Sequence, residues 1–251
     1  MRKFLAILSV VSLSAFLIGN AVQSLPLESQ ETQLVSQMND HRRARNLAGL
    51  KVDTLICYHT RKAIQRLGGQ RNKAYAESAW TEQIGRGIPD WDKWGFLVSG
   101  NSVDEILKKL KGRKPFVDAL AKPDISHIAV GIFPKSNGGK WCSVWLIHRL
   151  VNLGPYGVGM SYKGPTDFTV SGTCSYKDVR VRFYKSEEDP DVYKGKNDES
   201  VDVHTDESGK FQATLPISKF GTGDYRIIIY VLDPSENRYR LAAQAHFDVT
   251  N

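Results

Sequence analysis

The chain has 251 residues, 41% of them hydrophobic, and a formal net charge of +7. That length allows two domains, each able to bury its own core, and three cysteines are too few for a disulfide-stapled scaffold. The charge is uneven: Lys163 to Asn251 holds 12 basic and 15 acidic residues, so with Arg2 and Lys3 set aside the segment Leu25 to Tyr162 carries +8.

The chain opens with MRKFLAILSVVSLSAFLIGNAVQS. Arg2 and Lys3 precede an uncharged apolar run from Phe4 to Ile18, and small residues follow at Ala21 and Ser24. This order predicts a secretory signal peptide over residues 1–24. The run is short for a membrane span, which needs roughly 20 apolar residues. The mature chain is therefore expected to be secreted and extracellular, with no transmembrane segment after cleavage and no nucleic-acid partner.

A first helix is predicted from about Glu31 to Arg45, because Leu34, Val35, Met38 and Arg42 form one stripe. Asn46 closes it, since Asn tolerates the left-handed conformation. Asp53 is suited to cap a second helix, along which Ile56, Thr60, Ala63, Ile64 and Leu67 recur on one face before Gly68-Gly69. The segment Gln70 to Gly100 is less regular and holds Trp80, Trp91 and Trp94; Ile84 to Gly95 reads as a loop anchored by aromatics. Asn101 or Ser102 caps a helix from Val103 to Lys111, and a short helix follows from Pro115 to Ala121.

Two strands come next, His127 to Phe133 and Trp141 to Val151, joined by a hairpin loop. The second is apolar at nearly every position, as a strand covered on both faces is. NLGPYGVG at Asn152 to Gly159 breaks the pattern and marks a linker. Six short alternating strands with turn sequences between some of them then predict a small β-sandwich. The expected division is 25–152 for the first domain, 153–160 for the linker and 161–251 for the second domain. Cys57 pairs with Cys142, or all three cysteines are small buried hydrophobes.

The first half resembles the CAP superfamily, that of cysteine-rich secretory proteins, insect antigen 5 and plant pathogenesis-related proteins. Asn39, Arg42, Leu47, Leu50 and Asp53 match the family's spacing ahead of its second helix, with Asn46 where a glycine is usual. HIAVGIF at His127 to Phe133 resembles the family's Gly-containing hairpin strand. The resemblance implies a three-layer α-β-α sandwich, giving an α+β chain that ends in an all-β, immunoglobulin-like sandwich. It also implies a cleft lined by two histidines and two acidic residues, able to hold a divalent metal. Here the chain departs from the family. Phe96 and Leu97 follow Gly95, Leu110, Arg113 and Phe116 take the Trp-Ser-His positions, and no histidine lies between Gly69 and Trp80.

The residues themselves offer no nucleophile elbow, phosphate loop or metal-ligand spacing, so no catalytic residue, metal or cofactor is assigned. With its polar groups replaced, the groove is expected to be apolar. Trp94, Phe96, Phe116, His59 and His127 become the candidate ligand-binding residues, for a lipid, sterol or hydrophobic segment. Phe96 and Phe116 as simple core filling is the competing reading. Arg42, Arg43, Lys108 and Lys109 are the candidate anion-binding residues, against the plainer reading of a solvated helix face with Arg42 in a structural contact. The expected function is a secreted, non-enzymatic binding protein that engages a lipid, sterol or cell-surface or host macromolecule, with the β-sandwich as spacer or adhesion module. The alternative is a secreted, metal-assisted hydrolase of cell-wall or surface polymers.

Overall fold

The structure, a computed structural model, describes residues 27–69, 81, 84–85, 88–136, 138–153, 160–164, 167–185 and 198–251. The expected leader lies outside the described residues, as do Trp80 and most of the expected linker.

The first unit is a four-stranded sheet with helices on both faces. Its helices are α1 (Ser29–Arg43), α2 (Thr54–Gly69), α3 (Val103–Lys111) and α4 (Lys114–Leu120). Its strands are β1 (Lys51–Val52), β2 (Lys93–Gly100), β3 (His127–Pro134) and β4 (Lys140–Ile147), in the order β1-β3-β4-β2. Only the β1–β3 pair is parallel. Alternation along the strands separates two cores. Phe96, Val98, Ile128, Val130, Ile132, Cys142, Val144 and Leu146 face α1, α3 and α4. Leu97, Ala129, Trp145 and Ile147 face α2. This is the three-layer arrangement that the resemblance implied.

Several residues of the two matching stretches have a physical task. Asn46 has φ 58°, which turns the chain out of α1. The Asn39 side-chain amide pairs with both backbone groups of Leu50, accepting from its N–H at 2.7 Å and donating to its C=O at 3.2 Å. Asp53 caps α2 by accepting the Ile56 N–H at 2.9 Å. Gly131 lets α2 approach β3: a Cβ there would lie 2.8 Å from the Arg61 backbone nitrogen.

The edge of β3 beyond its short pairing with β1 is closed by side chains. Cys57 Sγ accepts the Val130 N–H at 3.2 Å, and Glu31 accepts the Ile132 N–H at 3.0 Å. Glu31 is fully buried, also takes the Glu28 N–H at 3.0 Å, and forms a bidentate pair with Arg61. Neither N–H is left unsatisfied, and the edge cannot serve as a template for another strand.

Two sequence expectations need correction. The segment expected to be irregular contains β2, whose residues face both cores at once, so it lacks the simple alternation that marks a half-buried strand. Cys57 and Cys142 cannot pair, because they belong to cores on opposite sides of the sheet; both are free thiols.

The second unit has two sheets. One contains β5 (Val151–Leu153), β7 (Phe168–Cys174) and β10 (Lys210–Leu215), ordered β10-β7-β5. The other contains β6 (Met160–Lys163), β8 (Asp178–Lys185), β9 (Asp198–His204), β11 (Gly223–Asp233) and β12 (Arg238–Thr250), ordered β6-β12-β11-β8-β9. Phe168, Val170, Phe211 and Leu215 from the first sheet meet Val181, Phe183, Tyr225, Ile229 and Phe247 from the second in one core. Pairing of Val151 to Leu153 with β7 puts the start of this unit inside the segment expected to end the preceding strand and begin the linker.

Candidate functional site

The five candidate ligand-binding residues do not surround an open groove. Phe96 and Phe116 are 8% and 0% exposed, and their rings meet edge to face with centroids 5.1 Å apart. They fill the core beneath α1, α3 and α4. Such a pair contributes about 0.5–1.5 kcal/mol beyond the area it buries. Trp94 packs at the rim of that core, and the Lys122 ammonium lies 4.2 Å from its ring centroid. His59 is on α2, across the sheet from the phenylalanines, and His127 is at the start of β3. The apolar pocket expected from the sequence is occupied by its own lining. Two aromatic rings are large enough to fill the volume that smaller polar groups would have left open.

His59 and His127 belong to a different, polar setting near Asp53. Burial lowers both pKa values; the field of Arg149 lowers that of His127 further, while Asp53 opposes each shift. His127 Nδ1 is 2.9 Å from Ser126 Oγ. Arg149 is the centre of this region. Its guanidinium meets Asp53 at 2.7 Å and Asp90 at 2.9 Å, with Asp90 only 2% exposed. Burial opposes the arginine charge, but hydrogen bonds and attraction from Asp90 and Asp53 outweigh it and raise the pKa. Lys93 donates to the carbonyls of Ile88 and Asp90 at 2.7 and 2.8 Å, shaping the same loop.

That loop joins the two units. Asp90 forms an antiparallel bridge with Ala243 of β12. The Trp91 N–H donates to Ala242 O at 3.1 Å, and the Gln244 N–H donates to Pro89 O at 2.8 Å. The loop therefore covers an edge of β12 beside the stretch paired with β6. Asp92 continues the junction, 3.5 Å from His148 and 3.9 Å from Arg240. Every charged member of the network has a partner, so its geometry suits positioning of the second unit.

The candidate anion-binding residues separate into two groups. Arg42 is fully buried, and its guanidinium donates to the carbonyls of Ala48, Leu120, Lys122 and Ile125 at 2.7, 2.8, 2.9 and 3.1 Å. It is withdrawn from any external anion because its donors hold two loops together; its place as an anion-binding residue is thereby corrected. Arg43, Lys108 and Lys109 are exposed on the surface. Arg43 pairs with Asp40, and Lys109 pairs with Glu105 at 2.7 Å. The basic ends of α1 and α3 lie close enough that, after burial, the charges of Arg45 and Lys111 lower the His41 pKa.

The Asp53–Arg149–Asp90 network and the Glu31–Arg61 pair were not singled out in the sequence. Arg149 had one usable signal, a lone arginine within the apolar run from Trp141 to Val151. Asp90 had none, since a carboxylate in a Gly- and Pro-containing loop reads as solvated. Among the described residues, no helix is long and apolar enough to cross a membrane.

These features define an α-β-α layered unit locked through one loop to a two-sheet β unit. No family model and no curated protein matches the chain. Among solved structures it is similar to an outer surface protein from Borrelia burgdorferi, with 16% identity over 50% of this chain and 96% of that one, at a TM-score of 0.40. It is similar also to a cysteine-rich secretory protein from Staphylococcus aureus, with 11% identity, coverage of 49% and 41%, and a TM-score of 0.37. An extracellular SCP-domain protein from Bacillus anthracis gives 11% identity, coverage of 50% and 45%, and a TM-score of 0.37. These are partial likenesses and assign no role to any residue here.

Proposed function

We propose that the chain is an exported, non-enzymatic binding protein that engages a surface macromolecule through its outer faces. Its first unit is a CAP-like domain without a working cleft, and its second is an immunoglobulin-like sandwich that acts as an adhesion module or spacer. The carrying observation is the Phe96–Phe116 contact. It lies where the resemblance put polar cleft groups, and two buried rings at that place support a first unit with neither an open lipid site nor the polar groups of a hydrolase.

The sandwich assignment is supported by the strand order, with β6 switching sheets to run parallel to β12. It is supported also by Tyr225, near the start of β11, whose hydroxyl donates to Gly221 O at 2.5 Å, four residues upstream. That contact resembles the tyrosine corner of such domains. The absence of a disulfide among the three cysteines is compatible with it, since the core is filled by Phe183, Phe211 and Phe247.

The test is attachment of the labelled full chain to intact bacterial and animal cells, compared with the variant Phe116→Leu. Wild-type attachment that the substitution leaves unchanged supports the reading, because the core is then only structural. Loss of attachment in a variant that still folds overturns it.

A further inference from the structure

The sequence carries two basic runs, at His41 to Arg45 and at Lys108 to Lys114, and the fold joins them. Helices α1 and α3 lie on the same face of the sheet. Gln37 donates to Asp104, at the start of α3, at 3.0 Å. One turn further along α1, His41 feels both Arg45 and Lys111. The two helices therefore bring their C-terminal turns to one end of the unit.

Several cations there are already engaged. Arg42 is buried among carbonyls, Arg43 has Asp40, Lys109 has Glu105 and the Ser99 carbonyl, and Lys114 has Asp118 at 2.6 Å. Arg45, Lys108 and Lys111 are different: all three are exposed, and among the described residues no carboxylate is paired with them.

We infer that this basic end binds a sulfated polysaccharide, with Arg45, Lys108 and Lys111 meeting sulfates along the chain. The inference rests on the reading of the protein as a surface-binding molecule and names the class of its partner. A row of cations with no carboxylate partner complements a flexible polyanion. A bilayer is the poorer fit, because among the described residues the exposed large hydrophobic is Trp91. It sits on the loop against β12, so α1 and α3 offer nothing to insert.

The experiment measures binding of the full chain to immobilised heparin at physiological salt. The variant Lys108→Ser with Lys111→Ser is compared with Lys62→Ser with Arg66→Ser, which removes the same charge from exposed positions on α2. The expected result is wild-type binding that falls about tenfold in the α3 variant, the scale of losing two screened contacts, and stays within about twofold in the α2 variant. Vesicles containing phosphatidylserine are expected to bind no variant.

Equal losses in both variants overturn the inference, since net charge alone is then responsible. Vesicle binding that the α3 variant abolishes overturns it in favour of a membrane surface. A wild-type chain that attaches to cells but not to heparin overturns this inference and leaves the surface-binding reading standing. A chain that attaches to neither overturns both.

Discussion

Replacing Arg42 with methionine keeps the apolar stem of the side chain in its buried channel and deletes the guanidinium with all of its donors. Four carbonyls lose a partner, and the bonds to Leu120 O and Ile125 O are the most deeply buried of them. A hydrogen bond to a charged group contributes about 1.5–3 kcal/mol, and a buried acceptor left unpaired costs about 1–3 kcal/mol. Against this, the substitution removes a charge whose pKa burial lowers, and that relief offsets part of the loss. The net expectation is about 3–5 kcal/mol, a large share of the roughly 5–15 kcal/mol that holds a domain together. Arg42→Lys should recover only part of it, because one ammonium is a compact charge and cannot span acceptors on both loops. Urea unfolding followed by tryptophan fluorescence measures the change. A loss below about 1 kcal/mol for Arg42→Met would show that the four contacts are incidental and would refute the reasoning.

Three further outcomes follow from the same structure. Arg149→Met removes the cation that bridges Asp53 and the buried Asp90, so it should cost about 3–5 kcal/mol. Hydrogen exchange should then rise at Trp91 and Gln244, whose amides make the inter-unit bonds; unchanged exchange there contradicts the coupling role. Burial pushes the Cys57 thiol up to about 12 and raises Cys142 and Cys174 as well. A thiol reagent at about pH 8 should thus label the native chain slowly and the urea-unfolded chain at all three positions; fewer than three in the unfolded, unreduced chain would reveal a disulfide. The pKa values of His59 and His127 are lowered from 6.5. Above that pH both states hold them neutral, whereas below it the unfolded chain takes the proton first. Stability should decline as pH falls from 6.5 towards about 5, less steeply in His127→Gln, and a flat profile in the wild type contradicts the burial.

The first three helices of the layered unit were legible because their signals are local. Asp53 as a cap, Asn46 as a left-handed stop and the Val103–Lys111 helix all lie where sequence placed them. Arg42 was legible as a member of the apolar stripe, though its four carbonyl partners lie up to 83 residues away. What escaped was information held between segments. Strand β2 is covered on both faces, and Gly95 within it lies under the Trp145 ring, which leaves no alternation to read. The sequence could list Phe96 and Phe116 as aromatics bordering a groove, but only packing decides whether two rings frame a space or fill it. His59 and His127 join those rings in the sequence reading only through their places on the second helix and the hairpin strand, and the structure sets them on the other side of the sheet. The second unit showed its strands through alternation, while the parallel pairing of β6 with β12 depends on contacts some 87 residues apart.

The filled groove is tested most directly by native mass spectrometry of the folded full chain, incubated with cholesterol, fatty acids and phospholipids. The tightly packed Phe96–Phe116 core predicts spectra of the bare protein at every lipid concentration. A saturable one-to-one adduct that disappears in Phe116→Trp, where a bulkier ring would occupy any remaining space, would contradict it.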